Sequence, residues 1–345
     1  MWADRAERAR QEIAAMAATG MGVAELHAAA LAVVHETVPF QQACWAGVDP
    51  ATLIMTSITN WPPWPTPDEY GVRFAETEYA GTEPNPFAQL TRRPMPAARL
   101  SDVPHRDVVR SVRLNDLLRP QGLEHELRAV FRTDDVCWAV GGLFRETGPD
   151  FTDREVEFLS SIAATLSAAT RIAVRVERHT MCGPAGPVIV LVGPRGEVRA
   201  ATPAAATWLA ELDDRAPGRF GMTLYSVVGA AKAAASGTAR MRMRDAGDHW
   251  VVLQASRLIT GDDPGQMVVT VEPATTHEMV TLLLAAYGAT PRERDVCLEV
   301  VAGSATADIA EHLYISPHTV HDHLKSLFEK VGVGSRGELV ARLLT

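Results

Sequence analysis

The side chains best suited to chemistry in this chain of 345 residues crowd one short run near its end: Ser316, His318, Thr319, His321, Asp322 and Lys325. Hydroxyls, imidazoles, a carboxylate and an ammonium group make a set of donors and acceptors matched to base edges and phosphate oxygens. On a helix, His318, His321, Asp322 and Lys325 stand at i, i+3, i+4 and i+7 and share one face. Val320, Leu324, Leu327 and Val331 repeat on the opposite face and must pack inward. Two of the three lysines, Lys325 and Lys330, lie on this helix. The run His318, His321 and His323 has a second reading as a metal cluster. His323 turns away from the face that 318 and 321 share, however, and a fourth ligand is missing, so no metal is assigned.

Other chemistries find little support. Cys44, Cys137, Cys182 and Cys297 lie far apart with no CxxC spacing, which argues for packed thiols rather than a disulfide scaffold or zinc cluster. The remaining lysine is Lys232, and none of the three follows a glycine, which excludes a GxxxxGK[ST] phosphate loop. No G-x-S-x-G or H-E-x-x-H is present, so the chain reads as a non-enzyme. No cofactor is assigned either: Cys44 and Cys137 fall in predicted strands, unsuited to bilin attachment, and no histidine is placed as a haem ligand. Trp45, Trp61, Trp64 and Trp138 are candidate walls of a small-molecule pocket. Trp61–Pro67 (WPPWPTP) must be an extended loop, either a lid or a stiff surface segment.

The elements that position the polar run follow from local rules. Thr290-Pro291-Arg292-Glu293 is a capping box with proline at the first helical position, and it starts a helix through Val301 that Gly303 stops. A short helix over Thr306–Leu313 and a tight turn at Tyr314 and Ile315 follow. Ser316-Pro317 then opens a helix to Val331, and Ser335 with Glu338 caps a final short helix. Two short helices joined by a tight turn describe a helix-turn-helix.

The stretch TPRERDV…VAG…IAEHLYISPHTVHDHLKSLFEKVGVGSRGELV resembles the LuxR/NarL-type DNA-binding domain of bacterial transcription regulators. The resemblance implies that Pro317–Val331 is a recognition helix and Ala307–Leu313 its scaffold. Positions 321, 322 and 325 would face the major groove, Thr319 and Lys330 would lie near phosphates, and Ser316 and His318 complete the DNA-facing set. It also implies an operator in double-stranded DNA and a homodimer paired through the final helix. Three residues depart from the pattern: His321 replaces a basic residue, Asp322 puts an acid in the groove, and Ala305 removes a serine cap. Over residues 286–345, six basic side chains face eight acidic ones, a net of −2.

The front of the chain is globular. Over the whole chain, apolar residues make up 47% and charged residues 22%, with 42 acidic against 33 basic side chains. No stretch of about 18 apolar residues occurs and the first residues are charged, so a soluble, cytoplasmic protein without membrane contact is expected. Helical spacing runs through Ala6, Ala9, Ile13, Met16 and Ala17 and again over Val23–Val38, followed by strands at Gln41–Val48, Leu53–Ile58 and Asp135–Arg145. Gly141 and Gly142 in the last of these allow close backbone approach or a bulge. Thr152 and Glu155 cap a long helix whose stripe Val156–Leu159–Ala163–Leu166 either pairs with its twin in a dimer or packs on its own sheet. The segment GLEHELRAVFRTDDVCWAVGGLFRETGPDFTDREVEFLSSIAATL resembles the end of a GAF domain. Beyond a glycine- and proline-rich joint at 179–186, the order strand-strand-helix-helix-strand-strand, including GPRGEVRAATPAAATWL, resembles a PAS domain.

The expected architecture is a multidomain α+β chain. A GAF-like sensory or dimerisation domain spans 1–178 and a PAS-like domain 179–276, both built on antiparallel sheets. A linker at 277–289 leads to an all-α, four-helix helix-turn-helix domain at 290–345. The expected function is sequence-specific transcription regulation under a small-molecule signal. The alternative is a sensor or interaction scaffold whose helix-turn-helix has lost DNA.

Overall fold

The computed structural model describes residues 1–63, 68–133, 136–176, 186–215, 219–259 and 265–344. They divide into two units, Met1–Pro273 and Ala274–Thr345. Trp64 and its neighbours to Pro67, residues 177–185 with Cys182, and residues 260–264 lie outside the described residues.

In the first unit, the predicted N-terminal helices form as α1 (Trp2–Met16) and α2 (Val23–Thr37). Their apolar sides join one interior cluster with a five-stranded antiparallel sheet of order β2-β1-β5-β4-β3, on which α2 packs directly. Its strands are β1 (Gln42–Val48), β2 (Met55–Trp61), β3 (Ala97–Arg99), β4 (Leu123–Thr133) and β5 (Val136–Glu146). Trp45 pairs with Gly141 across β1 and β5, and a Cβ added at Gly141 would lie 2.1 Å from the indole. The close approach expected of this glycine is therefore what admits the Trp45 ring.

The other face of the sheet carries Val48, Ile58, Val130 and Val140, packed with Phe74 of α3 (Asp68–Ala80) and Phe87 of α4 (Phe87–Leu90). Helix α5 (His105–Arg110) buries no residue. Helix α6 (Asp153–Val176) begins as its capping box predicts, with Thr152 N and Oγ1 donating to Glu155 Oε2 at 2.7 and 2.8 Å. Its stripe is buried in one cluster with Ile13, Leu31, Trp45 and Phe131, leaving Leu159 only 1% exposed. Of the two readings of the stripe, packing on its own sheet is the one the structure adopts.

A second antiparallel sheet, of order β7-β6-β10-β9-β8, belongs to the same unit. Its elements run β6 (Val188–Val192), β7 (Val198–Ala201), α7 (Pro203–Arg215), α8 (Arg219–Ala233), β8 (Thr238–Arg244), β9 (Trp250–Arg257) and β10 (Met267–Pro273). Strand β8 was not expected from the sequence. Its TARMRMR pattern alternates correctly, with Met241 and Met243 buried, but methionine and arginine have no marked strand preference.

The two sheets are joined by shared packing. Met222 and Tyr225 of α8 fill the same cluster as Val48 and Phe74, and a Cβ added at Gly229 would meet the Ala75 backbone of α3 at 3.0 Å. Asp49, in the β1–β2 turn, accepts from Arg242 N and Nε of β8 at 2.8 Å each. Both residues are buried, at 3% and 8% exposure.

The second unit contains one helix more than expected. Residues 277–289, anticipated as a linker, lie largely in α9 (Thr276–Ala286), which Thr275 and Glu278 open as a capping box. Its Val280, Leu283 and Leu284 are apolar enough to join the core of the helices that follow, which is why the segment folds. Those helices are α10 (Pro291–Val301), α11 (Thr306–His312), α12 (Pro317–Val331) and α13 (Arg336–Leu344). Among the described residues, no helix is long and apolar enough to cross a membrane.

Candidate nucleic-acid interface

Helix α12 is fixed from behind by four side chains. Val320, Leu324, Leu327 and Val331 are each at most 6% exposed, and burial of such groups contributes about 1.5–3 kcal/mol apiece. At its start, Ser316 Oγ accepts from Thr319 N at 3.1 Å, with Pro317 in the first turn. At its end, Gly332 takes a left-handed conformation. Helix α11 is less well capped. Ala305 offers no side-chain bond and Ser304 Oγ is turned to Glu299 at 2.6 Å, so only Asp308 reaches back, to Ala305 N at 3.3 Å.

The structure gathers Ser316, His318, Thr319, His321, Asp322 and Lys325 at the start and on the outward side of α12, where all but the half-buried Thr319 are exposed. His318 Nε2 lies 3.8 Å from Asp322 Oδ2, and Ser316 Oγ shares a hydrogen with Thr319 Oγ1 at 2.8 Å. His321 Nδ1 is 2.8 Å from Pro317 O. A carbonyl oxygen can only accept, so Nδ1 carries the hydrogen and Nε2 remains as the outward group: an acceptor when the ring is neutral, a donor when it is charged. His323 is half-buried, and among the described residues no group of three His, Cys, Asp or Glu side chains is placed to hold a metal.

Lys330 is placed differently from the other six. Its Nζ donates to Glu293 Oε2 at 2.6 Å, while Ser326 Oγ donates to Glu293 Oε1 at 2.6 Å. Glu293 also accepts from Thr290 N at 2.6 Å, so one buried carboxylate ties the start of α10 to the far half of α12. Burial pushes this carboxyl up, but the bonds from Lys330 and Ser326 outweigh it and hold the group down at about 2. The capping box foretold the link to Thr290. Nothing in the spacing foretold the link to α12.

The tryptophans lie in the first unit. Trp45 and Trp138 are buried at 0% and 2%, and Trp61 packs partly buried beside His35, ring centroids 5.9 Å apart. Two clefts open elsewhere in that unit, and no tryptophan lines either. One, of about 410 Å³, is walled by Glu83, Asn85, Gln89, Arg93, Asp107 and Arg110. The other, of about 310 Å³, is walled by Ser101, His105, Arg119, His125, Glu126 and Asp150. Between them lies a buried ion network that the sequence did not suggest, in which Arg113 Nη2 donates to Glu126 Oε2 at 2.9 Å and Arg128 bridges Glu126 to Glu78. Burial pushes the thiols of Cys44, Cys137 and Cys297 up to about 12, which suits packed thiols and not nucleophiles.

Residues 289–343 match the family model for bacterial regulatory proteins of the luxR family. A putative HTH-type transcriptional regulator of Mycobacterium bovis, Mb0914c, is 47% identical over 51 residues, which are 15% of this chain and 6% of that protein. The transcriptional regulatory protein UhpA of Escherichia coli is 44% identical over 54 residues, 16% of this chain and 28% of that one. Both matches thus span only a small part of those relatives' length. A solved phage VqmA–DPO complex overlaps 45% of this chain and 81% of its own at 16% identity, with a TM-score of 0.22, too low to carry any argument. The spore germination protein GerE of Bacillus subtilis is 40% identical over 55 residues, 16% of this chain but 74% of GerE. With most of that relative's length matched, this chain belongs to the luxR family of bacterial regulatory proteins.

Proposed function

We propose that this chain is a cytoplasmic transcriptional regulator that reads a specific sequence in double-stranded DNA through α12 and acts as a homodimer. The observation that carries the reading is the outward side of α12. Its polar groups are uncovered, while the helix bearing them is held rigidly by its buried aliphatic side and by Glu293. Lys325, with no ion pair among the described residues, supplies the cation for a phosphate or a guanine edge. Asp322 is suited to accept from a cytosine amino group, and Ser316, His318, Thr319 and His321 offer hydroxyls and imidazoles around it. Lys330 contributes by fixing the helix. Control by a small molecule completes the proposal, and the two clefts of the first unit, near the small end of ligand-site volumes, are its candidate seats.

One observation favours a different reading, an interaction scaffold without DNA. The net charge of −2 over residues 286–345 is unusual for a nucleic-acid surface. Selection of bound duplexes from a random library by the full-length protein separates the two. Enrichment of a motif with two half-sites related by dyad symmetry is expected. Recovery of unenriched sequence, with no salt-dependent binding, would establish the scaffold.

A further inference from the structure

The turn of the helix-turn-helix carries a residue that its backbone does not favour. Tyr314 sits at φ +56°, in the left-handed region that disfavours any L side chain and favours glycine. The geometry is a standard helix end: Tyr314 N donates to Glu311 O at 3.2 Å, and Ile315 N to Ala310 O at 2.9 Å. Three other helices of the same unit end in the left-handed region too, at Gly288, Gly303 and Gly332, with φ between 73° and 89°. All three use glycine. The turn before α12 alone uses a bulky aromatic residue, and that residue has no packing role to justify it. Tyr314 is 95% exposed, whereas Leu313 and Ile315 on either side pack against the core and fix the turn without it. No hydrogen bond from its hydroxyl and no ring contact occurs among the described residues.

The side chain stands two positions before Ser316, the cap of α12. When the second helix of such a motif enters the major groove, its first turn meets base edges and the preceding helix crosses the backbone. The turn between them therefore lies at the edge of the groove, beside phosphates. We infer that Tyr314 is a DNA contact residue, its phenolic hydroxyl donating to a backbone phosphate oxygen, retained at a position where glycine would be better tolerated. This rests on the DNA-binding reading of α12 and adds to it a contact outside the predicted set.

The test compares full-length wild type, Tyr314→Gly and Tyr314→Phe, using the duplex that wild type selects and a scrambled duplex of the same length. Tyr314→Gly should raise the melting temperature of the helical unit by about 2–5 °C while weakening binding to both duplexes about tenfold. Tyr314→Phe should leave the melting temperature unchanged and lose most of the same affinity. Wild-type affinity in Tyr314→Gly would overturn the inference. Wild-type affinity in Tyr314→Phe alongside a weakened Tyr314→Gly would overturn the hydroxyl–phosphate contact. Loss of transcriptional output with unchanged DNA affinity would assign the tyrosine to a protein partner and overturn it as well. Failure of the DNA-binding reading has its own signature, since wild type would then select no duplex at all.

Discussion

Lys325 and Lys330 share a residue type and a helix but have different surroundings, and single substitutions should separate them. Lys325→Ala should reduce the slope of log Kd against log salt by about one if the ammonium meets a phosphate. If it meets a guanine edge instead, sequence preference at that position should relax. Wild-type affinity and selectivity in the variant would remove Lys325 from the interface. Lys330→Ala should leave the salt slope alone and lower stability by about 1–2 kcal/mol, because Glu293 would stay buried without its cation. Fluorescence anisotropy across a salt series and thermal melts measure the two effects. The sequence made Lys325 legible, since its place on the outer side follows from periodicity alone. It gave no sign of the tie made by Lys330, whose partner lies 37 residues earlier on another helix. The reach of a capping glutamate beyond its own helix leaves no mark on spacing.

At the scale of elements, most of what the sequence disclosed was carried by capping boxes and apolar periodicity. Helices α6, α10 and α12 start where Thr152, Thr290 and Ser316 place them. Among the elements that escaped, two did so for a common reason. Strand β8 has a weak propensity signal, and α9 is so apolar that it gives little amphipathic contrast; both are fixed by packing against distant parts of the chain. The missed strand is also the one that carries Arg242 to Asp49. Arg242→Ala leaves a carboxylate at 3% exposure without its cation, and the cost expected for breaking such a buried pair is about 3–5 kcal/mol. Adding Asp49→Ala to that variant should recover part of the loss, because the stranded charge disappears. A double-mutant cycle on thermal stability checks this, and simple additivity of the two losses would show that the bridge does not couple them.

For the whole molecule, pH acts on the first unit through His27. The ring is 1% exposed between α2 and α6, with Nε2 3.2 Å from Thr170 Oγ1, and burial lowers its pKa to about 4. An unfolded histidine takes up its proton near about 6.5, so the unfolded state gains a proton first as pH falls. Stability from this residue is complete above about pH 6.5 and should decline by about 2 kcal/mol by pH 5. His27→Gln should flatten the melting temperature between pH 7.5 and 5.0, and an unchanged pH slope would trace the decline to another group. The same unit has a consequence for inheritance. Its two sheets interlock at Gly229 and through Asp49 and Arg242, so a genetic crossover between them would split one interior into two incomplete halves. The main interior cluster of the helical unit is built from side chains between Val280 and Leu343. A crossover just after Pro273 would leave that cluster whole. The cassette that can be traded is therefore the helical segment, while the two sheets before it must travel through evolution as one.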